Sequence, residues 1–168
     1  MSTPTTIGAI VARIEAVHEQ FAGALVLIPD VRLQEARLSG GRSGKDLLAH
    51  LTFWDKRLLH AIAPDEGPHA FRLAPPLIAD IPYNDQWADI VNERIFLLNR
   101  GQDIATIKDE FARTCGELRQ AVRALTERDV FDADGLSALL GEPFLPMLTG
   151  AYEHYQDHLA DLQLVAGG

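Results

Sequence analysis

Thr149–Leu159 reads TGAYEHYQDHL, and within it His154 and His158 stand four residues apart in a strongly helical pattern. At 3.6 residues per turn both imidazoles leave one helix face, one turn apart. A pair so spaced grips a divalent ion weakly and leaves it under-coordinated, so a metal reading needs a third ligand from elsewhere. The best candidate is His50, in SGKDLLAHLTFW at residues 43–54. Packed side by side, the two helices bring three histidines into an open facial site.

The helix carrying the pair is predicted from Pro143 or Phe144 to Val165. Leu148, Tyr152, Tyr155, Leu159 and Leu162 form its apolar stripe, with Glu153, Gln156, Asp157 and Ala160 opposite. His154 and His158 fall on the shoulder of that stripe. Met147, Gly150 and Ala151 precede them there, and the small residues leave room beside the imidazoles.

Outward from this stretch, four more amphipathic segments recur at helical period. The first carries Ile7, Ile10, Ile14, Val17, Phe21 and Leu25, with Thr6 as N-cap and Pro29 beyond its end. The second opens on Ser43 with Asp46 at capping-box spacing and runs to about Ala63. Leu47, Leu51, Trp54, Leu58 and Ile62 share a face there, while Lys45, Thr52 and Lys56 point away. The third spans Tyr83 to Asn99, its inner face Trp87, Ile90, Val91, Arg94, Ile95 and Leu98. The fourth follows Asp103 to about Ala124, with Ile107, Phe111, Cys115, Leu118 and Val122 on one side. Pro29–Arg42 reads as a linker with one short turn, and the proline-rich stretch from Pro64 to Pro82 as a long connection that is either a lid or only a loop. No segment reads as a strand. The expected fold is all-α: a four-helix bundle with the Tyr83–Asn99 helix added.

A chain of 168 residues with 47% hydrophobic content suffices for one domain, residues 1–168. A formal charge of -9 and scattered basic residues argue against a nucleic-acid partner. No apolar run approaches the roughly 18–20 residues of a membrane span, and MSTPTTIGAI lacks the signature of a signal peptide. A cytoplasmic protein is expected. The single cysteine, Cys115, agrees with a reducing compartment. A homodimer is expected from Trp87, Ile95 and Phe96, which put apolar residues on more than one side of the added helix.

With His50 in AHLTFWDKRLL (49–59) and the pair in EHYQDHLADL (153–162), the chain resembles the DinB-like (DinB/YfiT) superfamily of four-helix bundles, especially its ClbS/DfsB-like members. The resemblance covers nearly the whole chain in helix order and spacing. It implies that His50, His154 and His158 hold a divalent metal ion, zinc or nickel. It also implies an activity of the kind found in that superfamily, which includes transferases and isomerases dependent on low-molecular-weight thiols.

From the residues alone, His154 and His158 read either as ligands or as border residues of an amphipathic helix, and His50 as a ligand or a half-buried hydrogen-bonded side chain. Asp46, Glu153 and Asp157 are candidates to orient the imidazoles, against capping and solvent-facing roles. Trp54 and Tyr155 are candidates to line a cofactor or substrate pocket, against plain core packing. Cys115 reads as a small buried thiol, and His18, His60 and His69 as surface residues. Three neutral imidazoles leave a coordination position open, as in catalytic zinc sites. The expected function is therefore a metal-dependent enzyme of small molecules, hydrolase or thiol transferase. A non-catalytic protein that sequesters a small molecule or metal is the alternative. Metal binding is expected to weaken below about pH 6, because free imidazole protonates near 6.5.

Overall fold

The computed structural model describes residues 4–62, 81 and 84–167. Helix α1 spans Ile7–Val26 and starts where Thr6 accepts a hydrogen bond from the Ala9 amide. Its stripe Ile10, Ile14, Val17, Phe21 and Leu25 is buried as the period predicts. The linker that follows holds more order than its composition suggests. It forms a short helix α2 (Asp30–Leu33) and two short antiparallel strands, β1 (Ala36–Leu38) and β2 (Arg42–Ser43). The reversal between them uses Gly40 and Gly41 at φ +70° and +74°, a left-handed conformation that glycine adopts without steric cost. These strands, absent from the sequence reading, are too short to leave an alternating pattern.

Helix α3 (Gly44–Ile62) begins at the expected box: Ser43 N–H and Oγ both donate to Asp46 Oδ2, at 2.8 and 2.7 Å. At Gly44 an added Cβ would meet Leu33 Cδ2 at 2.8 Å, so α2 lies directly on the first turn of α3. Helices α4 (Trp87–Asn99), α5 (Ile104–Ala124), α6 (Glu127–Phe131), α7 (Leu136–Leu140) and α8 (Phe144–Ala166) complete the chain. Asp103 caps α5 through the Thr106 amide, and Thr126 with Asp129 forms a capping box on α6.

Helices α1, α3, α5 and α8 close the bundle, with α3 against α5 and α8, and α1 against α8 and α5. The architecture is all-α, with α4 laid on the outside of α3. Together α5 and α4 cover a flank of α3 expected to face water. Thr52, expected to point away, is buried, and its hydroxyl donates to the Leu48 carbonyl at 2.8 Å. This flank of α3 packs on α5 as well as α4, and Leu48, Ala49 and Phe53 are buried on it too.

Trp87, Val91 and Ile95 of α4 face the bundle, and Trp54 Nε1 donates to Asn92 Oδ1 at 3.2 Å. Ile90, Leu97 and Leu98, rather than Trp87 and Ile95, are the apolar residues this helix leaves exposed, and Phe96 lies under the Arg42 guanidinium at 3.7 Å. Among the described residues no helix is long and apolar enough to cross a membrane. Apart from Ile81, the connection Pro64–Pro82, with His69 in it, and Tyr83 lie outside the described residues.

Candidate metal centre

Two helices bring His50, His154 and His158 together: α3 supplies the first, and one face of α8 supplies the other two. His154 Nε2 lies 2.7 Å from His50 Nε2 and 3.2 Å from His158 Nε2. Ring centroids are 4.7 to 5.1 Å apart, each pair nearly perpendicular. All three nitrogens thus converge on one point.

The donor set fits a divalent transition-metal ion. Zn–N bonds of about 2.0–2.1 Å put adjacent nitrogens of a tetrahedral site roughly 3.3 Å apart, so one contact already fits and the other must open by about 0.6 Å. His158 Nδ1 lies 2.7 Å from Asp161 Oδ2. An N–H donated there places the His158 lone pair on Nε2, toward the cluster. Asp161, not Asp46, Glu153 or Asp157, is therefore the carboxylate that orients an imidazole. Asp46 is occupied by Ser43, whereas Asp161 stands three residues beyond His158, one turn along the same face.

Two hollows flank the cluster. One, of about 360 Å³, is bordered by His50 and His154 together with Trp54, Leu58, Met147 and Gly150. The other, of about 270 Å³, is bordered by His50, His158, Asp161, Arg42 and Phe96. Asn92 borders both, which makes α4 a structural part of the site. Trp54 walls the first hollow, its ring centroid 6.2 Å from that of His50. Tyr155 does not border it. One residue along α8 from His154 is about 100° of rotation, and that turns Tyr155 into the core, where it is fully buried.

Tyr155 belongs to a second polar group that the sequence reading did not assemble. Its hydroxyl donates to Asp55 Oδ2 at 2.7 Å and lies 3.3 Å from Cys115 Sγ. His18, expected at the surface, is 4% exposed and packs its ring on Tyr155 at 4.4 Å. A signal was present: His18 lies four residues after Ile14 and Asp55 four after Leu51, both on buried stripes. His60 is half-buried.

Burial governs the protonation of both groups. It pushes His50 down to about 3, with His154 and His158 adding to the effect, and His154 down to about 4, with His158 adding. His18 falls to about 4 by burial and then the Arg119 charge, while burial raises Asp55 to about 7 against the hydrogen bonds from Tyr155 and Cys115. His50 and His154 therefore stay neutral well below the pH at which free imidazole protonates. Proton competition at these two ligands begins at lower pH than the free value implies, because a buried cation loses its hydration.

A stability effect follows for the metal-free protein. The lowered histidines stabilise the fold above their unfolded value near 6.5, and that contribution is lost as pH falls toward about 4. Asp55 acts in the opposite sense, its contribution being lost as pH rises from about 4 to about 7. Around pH 5, unfolding takes up about three protons on His18, His50 and His154 and releases about one from Asp55. Net uptake is about two, so stability is expected to fall between pH 6.5 and 4.5. Urea midpoints at the two pH values check this; a midpoint that rises on acidification contradicts it.

The DinB superfamily matches the chain over residues 4–162. Neither a curated protein nor a solved structure matches it.

Proposed function

The chain belongs to the DinB superfamily, and from that premise we propose a divalent-metal-dependent enzyme acting on small molecules, of the thiol-transfer or hydrolytic type. The observation that carries this reading is the convergence of His50, His154 and His158 at the edge of a hollow large enough for a small molecule. When bound, a divalent ion supplies Lewis acidity to an oxygen or sulfur atom at its open position. Zinc and nickel suit three imidazoles. On His50, Trp54 and the late histidine pair we place the chain nearest the ClbS/DfsB-like branch.

The protein's own residues provide the rest. His50 and His154 remain neutral at physiological pH, so their lone pairs are available without a proton to displace. Trp54, Leu58 and Met147 offer an apolar wall, and Gly150 keeps the floor beside His154 open. The Trp54 indole is held in place by Asn92, which fixes the distance between wall and histidines. A substrate with an apolar body and one ligating heteroatom fits this arrangement. In the transfer reaction a low-molecular-weight thiol is the second substrate.

Incubating zinc- or nickel-loaded protein with a panel of such thiols and of electrophilic esters and halides tests the reading. Product in excess of protein supports an enzyme, and thiol dependence separates transfer from hydrolysis. Capture that stops at one molecule per chain supports the sequestering alternative instead. Asp161→Asn is expected to lower metal affinity by about 10–100-fold with helix content unchanged, because it releases the tautomer and orientation of His158. Unchanged affinity on equilibrium metal titration would show that the pair is only a surface contact.

A further inference from the structure

Four polar side chains, one from each bundle helix, meet in the core: His18 from α1, Asp55 from α3, Cys115 from α5 and Tyr155 from α8. Their exposures are 4, 3, 8 and 0%. Three of the four interlock, since the Tyr155 hydroxyl reaches both Asp55 and Cys115. His18 does not join them. Neither of its ring nitrogens has a hydrogen-bond partner among the described residues. An unanswered buried polar atom costs about 1–3 kcal/mol, and an apolar residue on the Ile14–Phe21 stripe would avoid that cost. His18 nevertheless brings a donor nitrogen to within 4.8 Å of an Asp55 oxygen and of the Cys115 sulfur.

We propose that His18, Asp55 and Cys115 form a second, buried site for a borderline divalent transition-metal ion of the zinc and cobalt class, separate from the three-histidine cluster. The donor types select the ion. Magnesium and calcium require oxygen shells, whereas one imidazole, one thiolate and one carboxylate suit zinc, cobalt or nickel. Charge balance favours the loaded state in a dry core: a dication, a thiolate, a carboxylate and a neutral imidazole sum to zero. Binding sends the Cys115 thiol proton, and any proton still on Asp55, to solvent. The Tyr155 hydroxyl keeps its hydrogen bond to the carboxylate and so orients it from outside the ligand set. Donors around a tetrahedral ion with one bond of about 2.3 Å to sulfur stand roughly 3.3–3.6 Å apart, close to the 3.8 Å between Cys115 Sγ and Asp55 Oδ2, so His18 closes on the ion by at most about 1.5 Å. Asp55 also borders the 360 Å³ hollow, which gives the ion a route inward.

Cobalt(II) titration of the metal-free full-length chain tests the site, because only this donor set contains a thiol. Wild-type protein is expected to show a sulfur-to-cobalt charge-transfer band in the near ultraviolet. The triple variant H50A/H154A/H158A should keep that band while losing one bound ion. C115S should lose the band and keep the ion at the three histidines, and H18A should weaken the sulfur-linked step by at least about 10-fold. No sulfur band in wild type at saturating cobalt, or a sulfur-linked step of unchanged affinity in H18A, overturns the proposal. If C115S fails to fold by circular dichroism, the wild-type band and its survival in the triple variant decide alone. One ion bound without a sulfur band, and lost in the triple variant, would refute this site and leave the three-histidine reading standing.

Discussion

Replacing His50, His154 or His158 singly by alanine is expected to lower divalent-metal affinity at their cluster by about 100-fold or more, since loss of an orienting partner alone costs about 10–100-fold and loss of a ligand exceeds it. Helix content should barely change. All three side chains are half-buried at the border of the core, so their removal leaves space that opens onto a hollow and not a sealed cavity. The effect should be similar at each position, because His154 lies within 3.2 Å of both other nitrogens and the three imidazoles alone make up the donor group among the described residues. Metal analysis and zinc or nickel titration against a competing chelator would measure it, each variant losing one ion per chain relative to wild type. Equal metal content in wild type and all three variants would show that the histidines are border residues.

Phe21→Ala is expected to be the most damaging single truncation, at about 3–5 kcal/mol, which is a large share of the roughly 5–15 kcal/mol that holds a domain folded. Phe21 is fully buried, edge-on to Tyr155 with ring centroids 5.2 Å apart and tilted against Phe111 at 5.8 Å. Its removal leaves a cavity among α1, α5 and α8 that three rigid helices cannot close. It also unseats Tyr155, the neighbour of His154 along α8, so metal affinity should fall with stability. Leu97→Ala is the contrast: at 56% exposure it should change stability by no more than about 0.5 kcal/mol. Urea unfolding followed by far-ultraviolet circular dichroism compares the two. A Phe21→Ala loss below about 1 kcal/mol would mean that the aromatic cluster is not the centre of the core.

The long periodic helices were legible because amphipathic spacing and capping chemistry are local. Thr6, Ser43 with Asp46, and Asp103 each mark a helix start in sequence and act as caps in the structure. The strands around Gly40 were not legible, since two or three residues carry no period. The three histidines could be grouped from one spacing and a family resemblance, yet their common point is a tertiary fact.

What the sequence by itself determined is the five long helices, most of the apolar stripe each buries and the pairing of His154 with His158, all of which follow from the 3.6-residue repeat. Tertiary structure alone decided which carboxylate orients the pair, that α5 and α4 together cover Thr52, that α4 lends Asn92 to the site, and that His18, Asp55, Cys115 and Tyr155 meet. Those residues lie up to 137 positions apart along the chain, from His18 to Tyr155. Helical period sets the direction in which each side chain leaves its own axis. The neighbour it meets depends on which helix packs beside it and at what height, and that is fixed by how all the buried faces fill one core together.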